Sequence, residues 1–353
     1  GQKSQEKIAT AIERLGLHGK DRRTPIAEAM PIARLVVESL EQLDVTDRVQ
    51  YCGSLRRFRE TVADIDIVVA SNSPQLVMSE FVAMPLVEEV IGQGDTKASI
   101  LTAAGLQIDV RVVKPSQFGA AILYFTGSKQ HNIQLRQRAI ERGLLLNEYG
   151  LEESESGTVV SSRTEPAIYK ALGLRYISPE LREGIGEVAG AATGSLPDLI
   201  DTADIRGDLH VHSTWSGDGR SPLPDMVRAA AERGLEYIAM TEHGEDLSIN
   251  GLSREQITDE RRQFELLRAE YPQLKILSGS ELNIGPTGEV DYDPEFLATF
   301  DWCVASVHTH FNLTEAQQTE RVINAMQNPA VSAIGHLTGR RIGHRPGIEI
   351  NAR

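Results

Sequence analysis

The stretch YCGSLRRFRETVADIDIVVA (Tyr51–Ala70) sets Asp64 and Asp66 two residues apart at the start of an apolar run, after a Gly-Ser turn and three arginines. In a strand, residues i and i+2 face the same side, so the two carboxylates point together. Like charges that close repel unless a cation lies between them, and Mg²⁺ takes oxygen ligands. A third carboxylate, Asp109 in LQIDVRVV, lies on a strand that could pair alongside. Three carboxylates around two metals is the apparatus of in-line phosphoryl or nucleotidyl transfer. Gly53 and Ser54 supply a turn whose amides and hydroxyl suit phosphate. Arg56 and Arg57 are read as neutralising a leaving pyrophosphate. A D-x-D pair by itself would be a strand start; the glycine-serine turn, the arginines and Asp109 in sequence order make it a site.

A second set of reactive residues occupies the other half. DLHVHSTWSGDG holds His210 and His212 at i and i+2, followed by Asp218 in a Gly-rich loop. Downstream come His243 in MTEHGE, Glu281 in SGSELN, His308 in ASVHTH and His336 in IGHLTGR. One H-x-H pair is weakly specific. Five histidines with an aspartate and a glutamate in serial arrangement read as a metal centre, since Zn²⁺ and Mn²⁺ take imidazole plus carboxylate.

The elements that must position these residues follow from periodicity. TPIAEAMPIARLVVESLEQL (Thr24–Leu43) reads as an amphipathic helix, with Thr24 as N-cap and Pro25 as its first residue. VQYCGS and DIDIVVAS read as strands joined by the arginine-bearing turn. FVAMPLVEEVIGQGD reads as helix and then turn. ASILTAAGLQIDVRVV reads as a hairpin with Ala103, Ala104 and Gly105 near its tip. From Gly119 to Arg142 the pattern is helical. Glu180–Arg206, rich in Gly, Ala and acid, reads as a connection carrying a short helix. Beyond it, strand-like runs alternate with helical ones, the grammar of a parallel α/β domain, read here as a barrel. The expected fold class is thus multidomain α/β.

The first half resembles a known family. G-S-x-R-R-x₃-T-x₂-D-x-D followed by a strand Asp is similar to the nucleotidyltransferase palm of family X DNA polymerases. FGAAILYFTGSKQHNIQLRQRAIERGLLLNEYGL (Phe118–Leu151) resembles that family's thumb. The resemblance implies that Tyr124, Phe125 and Gly127 line the sugar of an incoming dNTP, that Asn132 reaches the base edge, and that Arg136 meets the template. Lys129, His131, Arg136, Arg138 and Arg142 form a basic cluster on one predicted helix, suited to a phosphate backbone. The Tyr-Phe pair reads as a flat wall against a 2′-hydroxyl. Two departures stand out: Ala63 where the family usually has Gly, and Phe58 where a small residue is common.

The second half, from Asp208 to about Arg341, resembles the PHP (polymerase and histidinol phosphatase) domain, a barrel-like fold with a multinuclear metal site. It implies water activated by Mn²⁺ or Zn²⁺ attacking a phosphoester, with 3′→5′ exonuclease trimming and end-processing phosphatase activity. His308 matches the family better than His310. Glu242 and Asn283 each stand where Asp is common. The family's late Asp-x-His pair is not found, which reads as a segment absent between Gly347 and Ile348, and the chain is read as partial at both ends. The expected division is 1–23, the end of a helix-hairpin-helix region; 24–118, palm; 119–183, thumb; 184–204, linker; and 205–353, an incomplete PHP domain.

Composition fits this picture. The 353 residues are 41% hydrophobic and 24% charged, with net charge −14. That balance argues against a nonspecific nucleic-acid coat protein and leaves room for a local basic groove. No window approaches 18 consecutive apolar residues, so no membrane span is expected. Cys52 and Cys303 read as buried thiols of a cytosolic protein. The expectation is a monomeric DNA polymerase of the bacterial cytoplasm and nucleoid. It would fill gaps in repair on gapped or primer-template DNA, with Mg²⁺ or Mn²⁺ in the first site. The alternatives are a DNA-binding scaffold with impaired catalysis and a nucleotidyltransferase with a non-DNA acceptor.

Overall fold

The computed structural model describes residues 23–351, and the chain divides into two units between Asp198 and Leu199. The expectation for a helix-hairpin-helix end falls on residues 1–22, outside those described.

The first unit begins with β1 (Thr24–Pro25), α1 (Ile26–Glu41), β2 (Thr46–Tyr51), a helical turn α2 (Gly53–Arg56), β3 (Thr61–Val62) and β4 (Asp64–Ser71). It continues with α3 (Pro74–Val82), β5 (Val87–Gln93), β6 (Lys97–Thr102) and β7 (Gln107–Val113). The sheet order is β2-β4-β7-β6-β5, and β4 with β7 is its one parallel pair. Ile65, Ile67 and Val69 of β4 go into a core with Ile108, Val110, Ala33, Val36 and Phe81, so the alternate positions face outward with their carboxylates. The β6–β7 hairpin turns at Ala103–Gly105 as its sequence predicts, with Gly105 N–H donating to the Thr102 carbonyl.

Two local expectations are corrected. Thr24 does not cap α1: it pairs with Val62 while Pro25 pairs with Thr61, so the helix starts at Ile26. The segment read as helix from Phe81 is helix only to Val82. Val87–Gln93 is an edge strand, because pairing with β6 satisfies its backbone although its side chains are mostly exposed.

The remainder of this unit holds α4 (Phe118–Thr126), α5 (Lys129–Ile140), a three-stranded antiparallel sheet of β8 (Leu144–Leu146), β9 (Leu151–Glu153) and β10 (Val159–Ser161), α6 (Glu165–Ala171) and α7 (Glu187–Thr193). The predicted helical run is therefore two helices, broken at Gly127. Val188 and Ala191 of α7 pack with Leu135, Ile168 and Tyr169, so this part of the predicted connection belongs to the core of the first unit.

The second unit is β11 (Gly207–Val211), α8 (Leu223–Glu232), β12 (Tyr237–Met240), α9 (Arg254–Glu270), β13 (Lys275–Asn283), α10 (Pro294–Leu297), β14 (Trp302–Ser306), α11 (Glu315–Met326) and β15 (Ala333–Ile334). All five strands run parallel in the order β11-β12-β13-β14-β15. Val227, Phe264 and Leu267 cover Ile238, Met240 and Ile276, while Val322 and Ala325 pack with Cys303 and Ala305. Cys52 and Cys303 are both buried and free. No helix among the described residues is long and apolar enough to cross a membrane.

Candidate active site and candidate metal centre

In the first unit the parallel register sets Asp66 opposite Asp109 and Asp64 opposite Gln107, so the three carboxylates share one face of two neighbouring strands. Burial, then Asp64 and Asp109, push the Asp66 carboxyl up to about 7. Burial and Asp109 also raise Asp64. A site that resists ionisation because carboxylates crowd together has the electrostatics that a bound cation relieves. Among the described residues, however, the trio is not one of the groups whose ligating atoms all lie within 4.8 Å of one another. Asp109 is instead engaged by Lys97 (Nζ to Oδ2, 3.3 Å) and by the Gln107 amide, which donates to Oδ1 at 3.0 Å. Sequence reading missed both neighbours: Lys97 lies outside the quoted motifs, and Gln107, although inside LQIDVRVV, carries no charge to mark it.

Gly53 meets this face directly. It has φ +60, and a Cβ there would fall 2.6 Å from Asp66 Oδ2, so only glycine lets the turn close over the carboxylate. Ser54 is half-buried in the same turn. Phe58 also has positive φ (+54) and is exposed, which accounts for a small residue being the easier choice at that position. Ala63 is exposed and is not among the residues of positive φ, so its backbone does not require glycine.

The arginines divide. Arg57 donates through Nη1 to the Thr126 carbonyl at 2.5 Å and pairs with Glu183 at 2.9 Å, beside Gly127. Arg56 turns inward: its guanidinium forks onto Glu165 at 2.6 and 3.0 Å and donates to Thr126 Oγ1 at 2.7 Å. The fully buried Arg182 takes the other side of Glu165 Oε1 at 2.5 Å. Burial alone would raise Glu165, but Arg182 and Arg56 hold it below the usual carboxylate range. The reading of Arg56 as a pyrophosphate contact is therefore corrected, because its donors are spent inside the fold. Glu165 and Arg182 carry no motif and could not be found from sequence.

Tyr124 and Phe125 end α4, but not as a flat wall. Their rings meet edge to face, 5.2 Å apart at 76°, with Arg111 over Phe125. The Asn132 amide donates to the Tyr124 carbonyl at 2.7 Å, which ties the start of α5 to the end of α4. Lys129 and Arg136 are exposed, one two-turn step apart on α5. Arg138 is not on that face: it donates to the carbonyls of Leu172 and Gly173. His131 is fully buried between Glu187 (Nδ1 to Oε1, 2.7 Å) and Tyr169 (Nε2 to the hydroxyl, 2.8 Å). Burial lowers it to about 4, so it is a neutral core histidine rather than part of the basic cluster.

In the second unit every candidate ligand lies at or beyond the C-terminal end of a parallel strand, where such folds gather chemistry. Glu281, 1% exposed, is the hub. Its Oε2 lies 3.2 Å from His210 Nε2, 3.2 Å from His212 Nε2 and 3.0 Å from His243 Nδ1. Its Oε1 lies 3.1 Å from His308 Nε2 and 2.8 Å from His336 Nε2. Burial would raise Glu281, but hydrogen bonds from these imidazoles hold it far below the carboxylate range. Asp218 Oδ2 approaches His243 Nε2 at 3.1 Å. Three overlapping groups of ligating atoms result: His210, His212 and Glu281; His212, Asp218 and His243; His243, Glu281 and His308.

This donor set fits Mn²⁺ or Zn²⁺. His310 is exposed, and it is its carbonyl that is used, by Gln318 and Arg321. Glu242 Oε2 lies 3.9 Å from His212 Nδ1, on the side of that ring away from Glu281; it accepts from Ser213 and Ser216 and so pins the loop after His212.

Comparison with known proteins defines the class first. Residues 23–130 match the DNA polymerase beta palm, 121–183 the DNA polymerase beta thumb, and 208–349 the PHP domain. DNA polymerase/3′-5′ exonuclease PolX of Bacillus subtilis (strain 168) is 40% identical over 355 residues, which cover 99% of this chain and 61% of that protein. A probable phosphatase of Syntrophotalea carbinolica (strain DSM 2380 / NBRC 103641 / GraBd1) is 33% identical over 144 residues, 39% of this chain and 57% of that protein. DNA polymerase lambda of Rattus norvegicus is 29% identical over 205 residues, 49% of this chain and 36% of that protein. The chain therefore holds, in series, a palm and a thumb similar to those of DNA polymerase beta and then a PHP domain, the order of domains in family X DNA polymerases that carry a PHP domain. It spans about three-fifths of the length of its PolX relative.

Proposed function

We propose that the protein is a DNA-directed DNA polymerase that fills gaps in repair, with a 3′→5′ exonuclease and phosphoesterase activity in its second unit. The observation that carries the reading is the in-register pair Asp66 and Asp109 beside Asp64, in a chain 40% identical to PolX. Asp64, Asp66 and Asp109 are assigned to hold Mg²⁺ or Mn²⁺. Such ions supply charge neutralisation for in-line attack of a primer 3′-hydroxyl on a dNTP. Gly53 and Ser54 line the phosphates with Arg57. Tyr124, Phe125, Gly127 and Asn132 face the nucleotide, and Lys129 and Arg136 face the DNA backbone.

In the second unit His210, His212, Asp218, His243, Glu281, His308 and His336 are assigned to Mn²⁺ or Zn²⁺. Held by these residues, such an ion would supply the Lewis acidity that makes water a nucleophile toward a phosphodiester at a 3′ end. The name of the Syntrophotalea relative, a probable phosphatase, favours phosphate removal as an additional product of the same chemistry. The domains are assigned as 24–118, 119–183 and 205–353. Action as a monomer in the cytoplasm, near the nucleoid, completes the proposal.

The test uses gapped and 3′-tailed DNA with wild type, Asp66→Ala and Glu281→Gln. The expected result is extension lost only in the first variant and trimming lost only in the second. Equal activity of wild type and Asp66→Ala on gapped DNA would overturn the polymerase assignment, and equal trimming by wild type and Glu281→Gln would overturn the nuclease assignment.

A further inference from the structure

Asn283, on β13 two residues after Glu281, joins a candidate ligand to a buried carboxylate. Its Oδ1 lies 2.7 Å from His308 Nδ1, while the other ring nitrogen of His308 faces Glu281. An amide oxygen can only accept, so His308 carries its proton on Nδ1 and presents the Nε2 lone pair to the centre. The Asn283 amide is itself oriented. Its Nδ2 donates to both oxygens of Asp291, at 2.9 and 3.2 Å, and its backbone N–H donates to the same carboxylate. Asp291, 1% exposed, also accepts from Asp246 N–H at 2.8 Å. A Cβ on Gly244 would come within 2.6–2.8 Å of this carboxylate, so the chain that follows His243 is packed on it as well.

We propose that Asp291 is a positioning residue of the metal centre, which fixes the tautomer and ring orientation of His308 through Asn283 and the backbone beyond His243 through Asp246. The inference rests on reading the second unit as a metal centre. It accounts for an asparagine, rather than an aspartate, at position 283. With Asp291 already in place, a carboxylate at 283 would face a second carboxylate at hydrogen-bonding distance, whereas an amide donates to one side and accepts on the other. Partners of this kind typically change metal affinity 10–100-fold when removed.

The experiment is a Mn²⁺ titration of the full chain in an Asp66→Ala background, so that uptake reports on the second unit, with ¹⁵N spectra of the histidine side chains. Asp291→Ala is expected to weaken Mn²⁺ binding by about 10–100-fold and to convert His308 from a single Nδ1–H tautomer to a mixture. Asn283→Asp is expected to bind Mn²⁺ more weakly than the wild type. The pair Asn283→Asp with Asp291→Asn should bind more tightly than Asn283→Asp alone, because the swap restores a donor between the two side chains. A merely structural role would lower melting temperature and leave the His308 tautomer of the folded protein unchanged, which would overturn the proposal, as would wild-type Mn²⁺ affinity in Asp291→Ala. If the wild-type second unit takes up no Mn²⁺, the metal reading itself fails; uptake by the wild type with no loss in Asp291→Ala sinks only the positioning role.

Discussion

Arg56 and Glu165, 109 residues apart in sequence, form a forked ion pair of 2.6 and 3.0 Å that joins the Gly-Ser turn to α6. Arg182 shares the same carboxylate. The pair holds the turn carrying Gly53 against the helix that follows the small sheet, so it shapes the candidate site without reaching into it. Removing Glu165 leaves two arginines buried and uncompensated. Glu165→Ala is expected to destabilise the first unit by about 3–5 kcal/mol, read by urea unfolding. A loss below about 1 kcal/mol, the range of an exposed pair, would contradict a buried anchor.

His131 predicts an acid-sensitive first unit. Its folded pKa, about 4, lies below the ordinary 6.5 because burial disfavours the imidazolium. Unfolding therefore takes up a proton between those values, and stability is fully present above pH 6.5 and lost as pH falls toward 4. Glu187, held low by the His131 hydrogen bond against the opposing effect of burial, acts in the same direction below its ordinary 4.5. His131→Phe is expected to flatten the profile of unfolding free energy between pH 6.5 and 4. An unchanged slope would show that His131 is not the group responsible.

Arg136 and Arg138 are two residues apart yet belong to different faces. Arg136→Ala and Lys129→Ala should each weaken DNA binding and reduce the slope of log affinity against log salt by about 1. Arg138→Ala should leave that slope as it is and lower stability, because its donors serve the Leu172 and Gly173 carbonyls. Fluorescence anisotropy on gapped DNA at several salt concentrations separates the two outcomes.

Phe58 adopts φ +54 with its ring exposed. A left-handed conformation costs a residue with a side chain about 1–2 kcal/mol, and little packing offsets it here. Phe58→Gly should relieve that strain but loosen the unfolded chain, for a net gain of about 0.5–1 kcal/mol in thermal unfolding. Loss of stability would mean that the ring has a partner in the folded chain.

Much of the candidate site is legible in the sequence. The i, i+2 spacing of Asp64 and Asp66 on a strand, and the placement of Glu281 and the five histidines at successive strand ends, follow from period-two geometry and from the rule that parallel strands gather function at their C-terminal ends. Patterns of this kind are local, and local sequence determines them. The edge strand Val87–Gln93 was missed because its pairing with β6, not its own exposed side chains, makes it a strand.

By itself, the sequence determined which residues are candidates for chemistry and which strands bear them, because alternation and strand order are written in nearest neighbours. Only the tertiary structure decided how those residues are neutralised and held. It turned Arg56 inward to Glu165 and Arg138 onto helix-end carbonyls. It made His131 a neutral core residue between Glu187 and Tyr169, and set Lys97 on Asp109 and Asp291 behind Asn283. The reason is physical: a charge finds its partner by distance in space, and burial sets the strength of that pairing. Neither quantity is encoded in the spacing of residues along a chain.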